Sequence, residues 1–366
     1  MRNGMRICVD GLIYRQSPNG GIARYWTELF MAMDLPGAGV RFDVALPSGA
    51  RRPPNVRSAR ASSLGAYWAA WRADLFHSTY YTLWPRMRCP SVVTVYDFID
   101  ALLPQLRPHN ARFVQRQLEL IRRAAAVVVI SETTRKLAVD LAGADPEKVF
   151  LAYPGVSRPF TPPPPAAADV VRFCQAQTGG APYLLHVGER KNYKNFRTIL
   201  KAFCRVADKT DRHLIVLGGS SPPEGDEIDW MVSARLLNRI HFLPIVNDDV
   251  LRLAYAGADA MVHASLMEGF GIPVVEALAS GTGLILSDIP VYREIAGSMA
   301  AFVDPVDPDA WGEAILRPVT VQSCWRDAVL SRFSWAAAAA AHLDAYRCAL
   351  GGSQAHPHAS FRRQKT

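Results

Sequence analysis

The sequence predicts an α/β chain folded as two doubly wound domains, and three observations lead there. Short β-branched or apolar runs alternate with longer helical patterns along most of the chain. That alternation gives a parallel sheet with helices on both faces. It breaks once, at Arg158-Pro159-Phe160-Thr161-Pro162-Pro163-Pro164-Pro165, where successive prolines forbid both a helix interior and a central strand. The length, 366 residues, suits two ordinary domains better than one. Two Rossmann-like domains facing across a cleft are therefore expected.

In the first half, strands are expected over 6–10, 42–45, 75–77, 91–96, 126–130 and 148–153, with helices over 23–33 and 133–142 among them. The second half repeats the pattern, with strands over 183–187, 213–217, 240–242, 258–263, 284–287 and 301–303 and helices over 195–207 and 272–279. This divides the chain into a domain over 1–160, a Pro-rich linker over 161–177, a second domain over 178–332 and a closing helix over 333–350. Ser334 suits that helix's N-cap, and Leu343, Tyr346 and Leu350 are its apolar anchors. The tail over 351–366 is polar, basic and Gly/Ser-opened, and is expected to be disordered.

Composition narrows the class. No run of about 18 uncharged apolar residues occurs, and the opening Met1-Arg2-Asn3-Gly4-Met5-Arg6 is too short for a signal-peptide start, so a cytosolic protein is expected. Six cysteines, Cys8, Cys89, Cys174, Cys204, Cys324 and Cys348, lie scattered without a CxxC pair and read as reduced core thiols. A net charge of +8 asks for an anionic partner: nucleic acid, anionic lipid or a phosphorylated small molecule. Basic residues gather around Tyr67, Trp68 and Trp71 (Arg51, Arg52, Arg57, Arg60, Arg72) and again at Arg107, Arg112, Arg116, Arg122 and Arg123. The second group lies on an expected helix whose apolar positions Phe113, Leu118, Leu120 and Ile121 make no clean stripe. A solvated basic face explains it; a contact with anionic membrane is the functional alternative.

The chemistry gathers at three places. Glu268-Gly269-Phe270-Gly271-Ile272-Pro273-Val274-Val275-Glu276 is a Gly-bearing loop entering a helix, with a carboxylate at each end. Bare amides and a helix N-terminus favour a phosphate, and Glu276, about two turns in, can accept from hydroxyls. Gly188-Glu189-Arg190-Lys191-Asn192-Tyr193-Lys194 follows an apolar strand, where α/β folds collect ligands. Arg190 can fork two oxygens of a diphosphate, and Lys194 can offset charge building on a leaving group. Gly20 and Gly21 open a helix after the first strand. They do not form GxGxxG, and no acidic residue closes a ribose-binding turn after the next strand, which disfavours a nicotinamide enzyme. Acidic motifs in the cleft argue against nucleic acid as partner.

Three further groups divide between roles. Asp307-Pro308-Asp309 spells a metal-gripping string but precedes a helix, where capping is the simpler use. His77 reads as a strand-end core residue or as lining for an acceptor cleft, and Asp10 as a turn cap or a cleft residue.

The Glu268-to-Glu276 segment, continued by Ala277-Leu278-Ala279-Ser280-Gly281 and Glu294-Ile295-Ala296-Gly297, resembles the E-x7-E signature of the retaining family-4 glycosyltransferases of GT-B fold. Val187-Gly188-Glu189-Arg190, Tyr193-Lys194-Asn195-Phe196, Gly20-Gly21-Ile22, Ile130-Ser131-Glu132 and Tyr153-Pro154-Gly155-Val156 follow in the family's order, so the resemblance spans nearly the whole chain. It is similar above all to mannosyl- and rhamnosyl-type members that build bacterial polysaccharides. The resemblance implies that the first domain takes the acceptor and the second the sugar nucleotide. Glu276 would bind the ribose, Arg190 and Lys194 the diphosphate, and the backbone of Gly269, Phe270, Gly271 and Ile272 the donor sugar and phosphate. Glu268 would face the sugar hydroxyls, Gly20 and Gly21 would reach the ligand across the cleft, and the closing helix would return to the first domain. It implies no metal and no cofactor, with GDP-mannose the favoured donor and a glycan or polyprenyl-diphosphate-linked glycan as acceptor. Many relatives carry His-Asp where this chain has Tyr96-Asp97. Tyr96 can donate a hydrogen bond to the donor sugar but is no near-neutral base, which leaves Asp97 as the ionisable group. A noncatalytic glycan- or nucleotide-binding relative and a sugar-nucleotide isomerase are the alternatives.

Overall fold

The computed structural model describes residues 4–18, 20–33, 39–46, 57–60, 72–82, 89–190, 192–219, 223, 225–244, 247–317, 322 and 325–351. Among them, the first domain holds strands β1 (Met5–Val9), β2 (Val40–Leu46), β3 (Arg57–Arg60), β4 (Leu75–Ser78), β5 (Ser91–Val95), β6 (Ala126–Val129) and β7 (Val149–Leu151). They form one parallel sheet in the order β3-β2-β1-β4-β5-β6-β7. In the second domain, β8 (Tyr183–Val187), β9 (His213–Leu217), β10 (Ile240–Leu243), β11 (Ala260–His263), β12 (Gly283–Ser287) and β13 (Ala301–Val303) form another, ordered β10-β9-β8-β11-β12-β13. Central strands such as β6 and β12 are buried along their whole length. That is why they read as continuous apolar runs rather than as alternation.

Both sheets reverse strand order beside their first strand, between β1 and β4 and between β8 and β11. Loops leaving the carboxyl ends of such neighbours diverge and leave a crevice. At the first switch point Asp10 closes β1: its Oδ1 accepts from the Leu12 amide at 3.0 Å and its Oδ2 from the Thr79 amide at 3.1 Å, beyond β4. Of its two readings, the turn cap is the one observed.

Among the described residues, the longer helices of the first domain are α1 (Gly21–Met33), α2 (Ala111–Arg123) and α3 (Glu132–Asp140). Helix α1 buries Trp26, Leu29, Phe30 and Met33 against the sheet. The second domain adds α4 (Ala167–Thr178), α5 (Phe196–Val206), α6 (Asp226–Ser233), α7 (Asp248–Gly257), α8 (Ile272–Ala279), α9 (Pro290–Ala296), α10 (Pro308–Leu316) and α11 (Trp325–Arg332). Most of the expected linker is therefore helix. Beyond Pro165 the alanines and Asp169 favour a first turn, and α4 docks Phe173 against Tyr183. Asp307 caps α10, its Oδ1 accepting from the Asp309 and Ala310 amides at 2.9 and 3.0 Å, so the DxD string is used as a cap.

Helix α12 (Trp335–Ala349) crosses to the first domain. It buries Ala338, Ala339, His342, Ala345 and Tyr346 on one face, following i, i+4, i+7, i+8 spacing. His342 Nε2 meets the Tyr25 hydroxyl at 3.2 Å, and the Tyr346 hydroxyl meets His77 Nδ1 at 2.9 Å. His77 is thus a core residue, with Thr94 on its other nitrogen at 2.9 Å. Cys8, Cys89, Cys174 and Cys204 are free thiols. The tail beyond 351 lies outside the described residues.

Candidate active site

Two loops build one wall of the cleft, one from each strand at the second switch point. The loop after β8 carries Tyr193 and Lys194; the loop after β11 carries Ser265, Glu268 and the glycines. They are stitched together: the Leu266 amide donates to the Tyr193 carbonyl at 2.8 Å, and Asn195 Nδ2 donates to the Ala264 carbonyl at 3.1 Å. Asn195 sits in the left-handed region, φ 52°, which turns the chain sharply into α5. Lys194 Nζ and Ser265 Oγ each donate to Glu268 Oε1 at 2.7 Å. Burial works against the Lys194 charge, and Glu268 beside it more than restores it, leaving the ammonium pKa above the ordinary lysine value.

Gly269 and Gly271 are required by close approach. A Cβ on Gly269 would collide with the Tyr96 carbonyl, across the cleft in the first domain. Gly271 has φ +108°, and a Cβ there would come within 2.9 Å of the Tyr292 ring. Phe270 between them points inward instead, packing on Tyr153 and Phe333. Ile272 opens α8 and faces the start of α1: its Cδ1 would lie 3.6 Å from a Cβ on Gly21. Two helix N-termini thus meet across the cleft, where the positive end of each helix dipole favours an anion.

One face of α8 carries Glu276 to the domain boundary, 2 % exposed. Its Oε1 accepts from Ser157 Oγ at 2.9 Å and lies 3.8 Å from the Arg24 guanidinium, both in the first domain; Tyr255 approaches Oε2 at 3.5 Å. Arg24 also reaches Asp248, at 2.9 Å, at the start of α7. Burial, opposed by Arg24 and the Ser157 hydrogen bond, pushes the Glu276 carboxyl up to about 7. Opposite Glu268, Asp97 is likewise pushed up to about 6 by burial; the Ile99 amide opposes this, and the nearby Asp100 and Glu268 charges add to it.

Two expected residues are placed elsewhere. The Tyr96 side chain turns into the first domain: its hydroxyl accepts from Trp26 Nε1 at 2.6 Å and donates to the Thr79 carbonyl at 3.0 Å. Only its backbone meets the cleft, so the hydroxyl is not positioned to hold a donor sugar. Arg190 is also withdrawn, 4 % exposed, with Nη1 on Glu227 at 2.9 Å and its guanidinium over the Phe242 ring. Among the described residues of this loop, Lys194 is the cation beside Glu268. Sequence reasoning missed Ser157, Arg24, Asp248 and Tyr292 as site neighbours, because each lies on an element that only the folded topology brings near. Arg24 carried one signal, its place one turn after the Gly20-Gly21 pair.

Two parallel doubly wound domains facing across a cleft are the GT-B arrangement, the fold of a class of glycosyltransferases. Sequence models of two families match successive parts of the chain, Glycosyltransferase Family 4 over residues 19–158 and Glycosyl transferases group 1 over 171–321. The chain belongs to this glycosyltransferase family. It is 28% identical over 257 residues to the O-antigen chain mannosyltransferase RfbU of Salmonella typhimurium, covering 68% of each chain. It is 27% identical over 270 residues to the O-antigen chain mannosyltransferase B of Escherichia coli, covering 70% of each. Among solved structures, the sucrose-phosphate synthase from Thermosynechococcus elongatus shares the fold with TM-score 0.74 at 20% identity, covering 94% of this chain and 98% of that one. Anabaena HepE in complex with UDP-glucose does so with TM-score 0.64 at 16% identity, covering 95% and 98%.

Proposed function

We propose that this glycosyltransferase moves mannose from GDP-mannose, with retention at the anomeric carbon, to a growing cell-surface glycan carried on a polyprenyl diphosphate. The observation that supports this best is the convergence of the Lys194–Glu268 pair, the facing N-termini of α1 and α8, and Glu276 on one cleft. Lys194 and the helix amides oppose the charge that develops on the departing diphosphate. Glu276 accepts from the ribose hydroxyls in place of Ser157, and Glu268 accepts from sugar hydroxyls while Lys194 holds it. The acceptor hydroxyl attacks the face the diphosphate leaves, and the leaving phosphate oxygen takes its proton, so no protein nucleophile is needed. Asp97, titrating near about 6, faces the same space and can accept from the acceptor. The mannose assignment rests on the two O-antigen relatives.

We also infer a place at the inner face of the cytoplasmic membrane. No helix among the described residues is long and apolar enough to cross a membrane. Helix α2 turns Arg112, Arg116, Arg122 and Arg123 outward, a basic face suited to anionic lipid. The aromatic part of the first basic cluster, Tyr67, Trp68 and Trp71, lies outside the described residues.

A thermal-shift panel of nucleoside diphosphates and their sugars tests the donor, since a ligand that binds only the folded state raises its apparent stability. GDP and GDP-mannose are expected to give the largest shifts; larger shifts with uridine or thymidine diphosphates would move the assignment. Glu276→Ala and Lys194→Ala are each expected to lower kcat/KM by about a hundred-fold or more while the fold persists. Near-wild-type turnover in either would remove that residue from the site.

A further inference from the structure

Beneath Glu268 stands a column of buried polar side chains to which the mechanism above gives no task. His186 and His263 occupy neighbouring strands β8 and β11, both fully buried, with ring centroids 5.3 Å apart and planes at 27°. Tyr292 of α9, also fully buried, completes the column by hydrogen-bonding through its hydroxyl to His263 Nδ1. The same hydroxyl meets Ser265 and Glu268, and its ring lies under Gly271. One side chain thus supports both ends of the donor-facing loop. Apolar residues would fill this volume without the cost of desolvating two imidazoles and a phenol, so the polar atoms call for a use.

The hydrogen bonds have a direction. Burial first, then the Lys194 and His186 charges, push the His263 pKa well below its ordinary value, so the ring is neutral and carries a single N–H. The Val187 carbonyl lies beside the ring, yet Nε2 makes no hydrogen bond. Nδ1 is the ring nitrogen at hydrogen-bond distance from a partner, the Tyr292 hydroxyl, and the column needs the N–H there. Nδ1–H then donates to the Tyr292 oxygen, and the Tyr292 O–H donates toward Glu268. Lys194 and Ser265 donate to that carboxylate, and Tyr292, Tyr193 and Asp97 lie close enough to feel its charge.

We propose that Tyr292 is a positioning residue for Glu268, and that His263 aims its hydroxyl. Glu268 is thereby held at one orientation toward the donor sugar without a contact between the column and the substrate. The inference rests on Glu268 meeting that sugar, as proposed above.

The test uses the full chain with Tyr292→Phe, His263→Asn and His263→Leu, assayed with GDP-mannose for transfer or slow donor hydrolysis. Tyr292→Phe is expected to lower kcat by roughly ten-fold or more while donor KM stays within about two-fold, and the thermal shift given by GDP is kept. His263→Asn, whose amide N–H replaces Nδ1–H, is expected to recover most of what His263→Leu loses. A kcat within about two-fold of wild type in Tyr292→Phe, or equal losses in the two His263 variants, would overturn the proposal. Long-range proton–nitrogen spectra of the wild-type imidazoles need no substrate: an Nδ1–H signal at His263 supports the column, and an Nε2–H signal overturns it. Wild-type protein that turns over no sugar nucleotide would count against the reading of the site, and the spectrum would still decide the direction of the column.

Discussion

Glu276 and Tyr96 show how burial decides what a single side chain can do. The Glu276 carboxyl titrates at about 7 in the folded chain against an ordinary 4.5. A native state that holds its proton longer gains stability that is full below the lower value and is lost as pH rises through the higher one. Ligand-free protein should therefore lose stability between about pH 4.5 and 7, and Glu276→Gln, which cannot ionise, should remove that loss of roughly 3 kcal/mol. Urea unfolding of both proteins across that window checks it; parallel curves would refute the assignment. Tyr96→Phe leaves the Trp26 N–H and the Thr79 carbonyl unpaired in the core, so it is expected to cost about 1–3 kcal/mol of stability with little change in kcat. A large loss of kcat at unchanged stability would return the hydroxyl to the cleft. That Glu268, Glu276, Gly269, Gly271 and Lys194 stand on loops and a helix start at strand ends was legible in the sequence, because it follows local rules. Tyr96 and Arg190 were not, because whether a strand-end side chain turns inward depends on partners distant in sequence, Trp26 for one and Glu227 for the other.

At the scale of the element, the same limit appears in α2. Its buried face runs through Phe113, Gln117, Leu120 and Ile121, and the stripe looked broken because its second member is polar. Gln117 Nε2 donates to the Asp97 carbonyl at 2.7 Å and to the Tyr81 hydroxyl at 2.9 Å, so an amide does here what an apolar residue does elsewhere. Strand β3, Arg57–Arg60, was missed for a related reason: it is an edge strand with a basic sequence, the composition that protects sheet edges. Helix α3 shows an element finished by the other domain. The Glu294 carboxylate from α9 accepts from the Glu132 and Thr133 amides at 2.7 and 2.9 Å, capping the α3 N-terminus across the cleft. Removing it with Glu294→Ala is expected to cost about 1 kcal/mol and to widen the cleft. Urea unfolding and small-angle scattering of the ligand-free protein together check this; unchanged values for both would mean that the cap contributes nothing.

For the whole molecule, the two sheets were legible from alternation and the prolines, but not how firmly the domains are joined. Phe270, Tyr153 and Phe333 continue one apolar cluster from the first domain into the second, and α12 seals the first domain with residues from the far end of the sequence. A chain ending at Arg332 would expose Tyr25 and His77, now covered by α12, and is expected to be insoluble or molten. A soluble product with a sharp thermal transition would contradict this.

That sealing helix also sets an order in time. About 180 residues separate the last strand of the first domain from α12. At synthesis rates of roughly 5–20 residues per second, the first domain waits on the order of 10–40 s for the piece that completes it. Through that interval the ribosome carries a sheet whose aromatic flank is open, and the nascent chain needs a chaperone, or its own second domain, to keep that flank from neighbours.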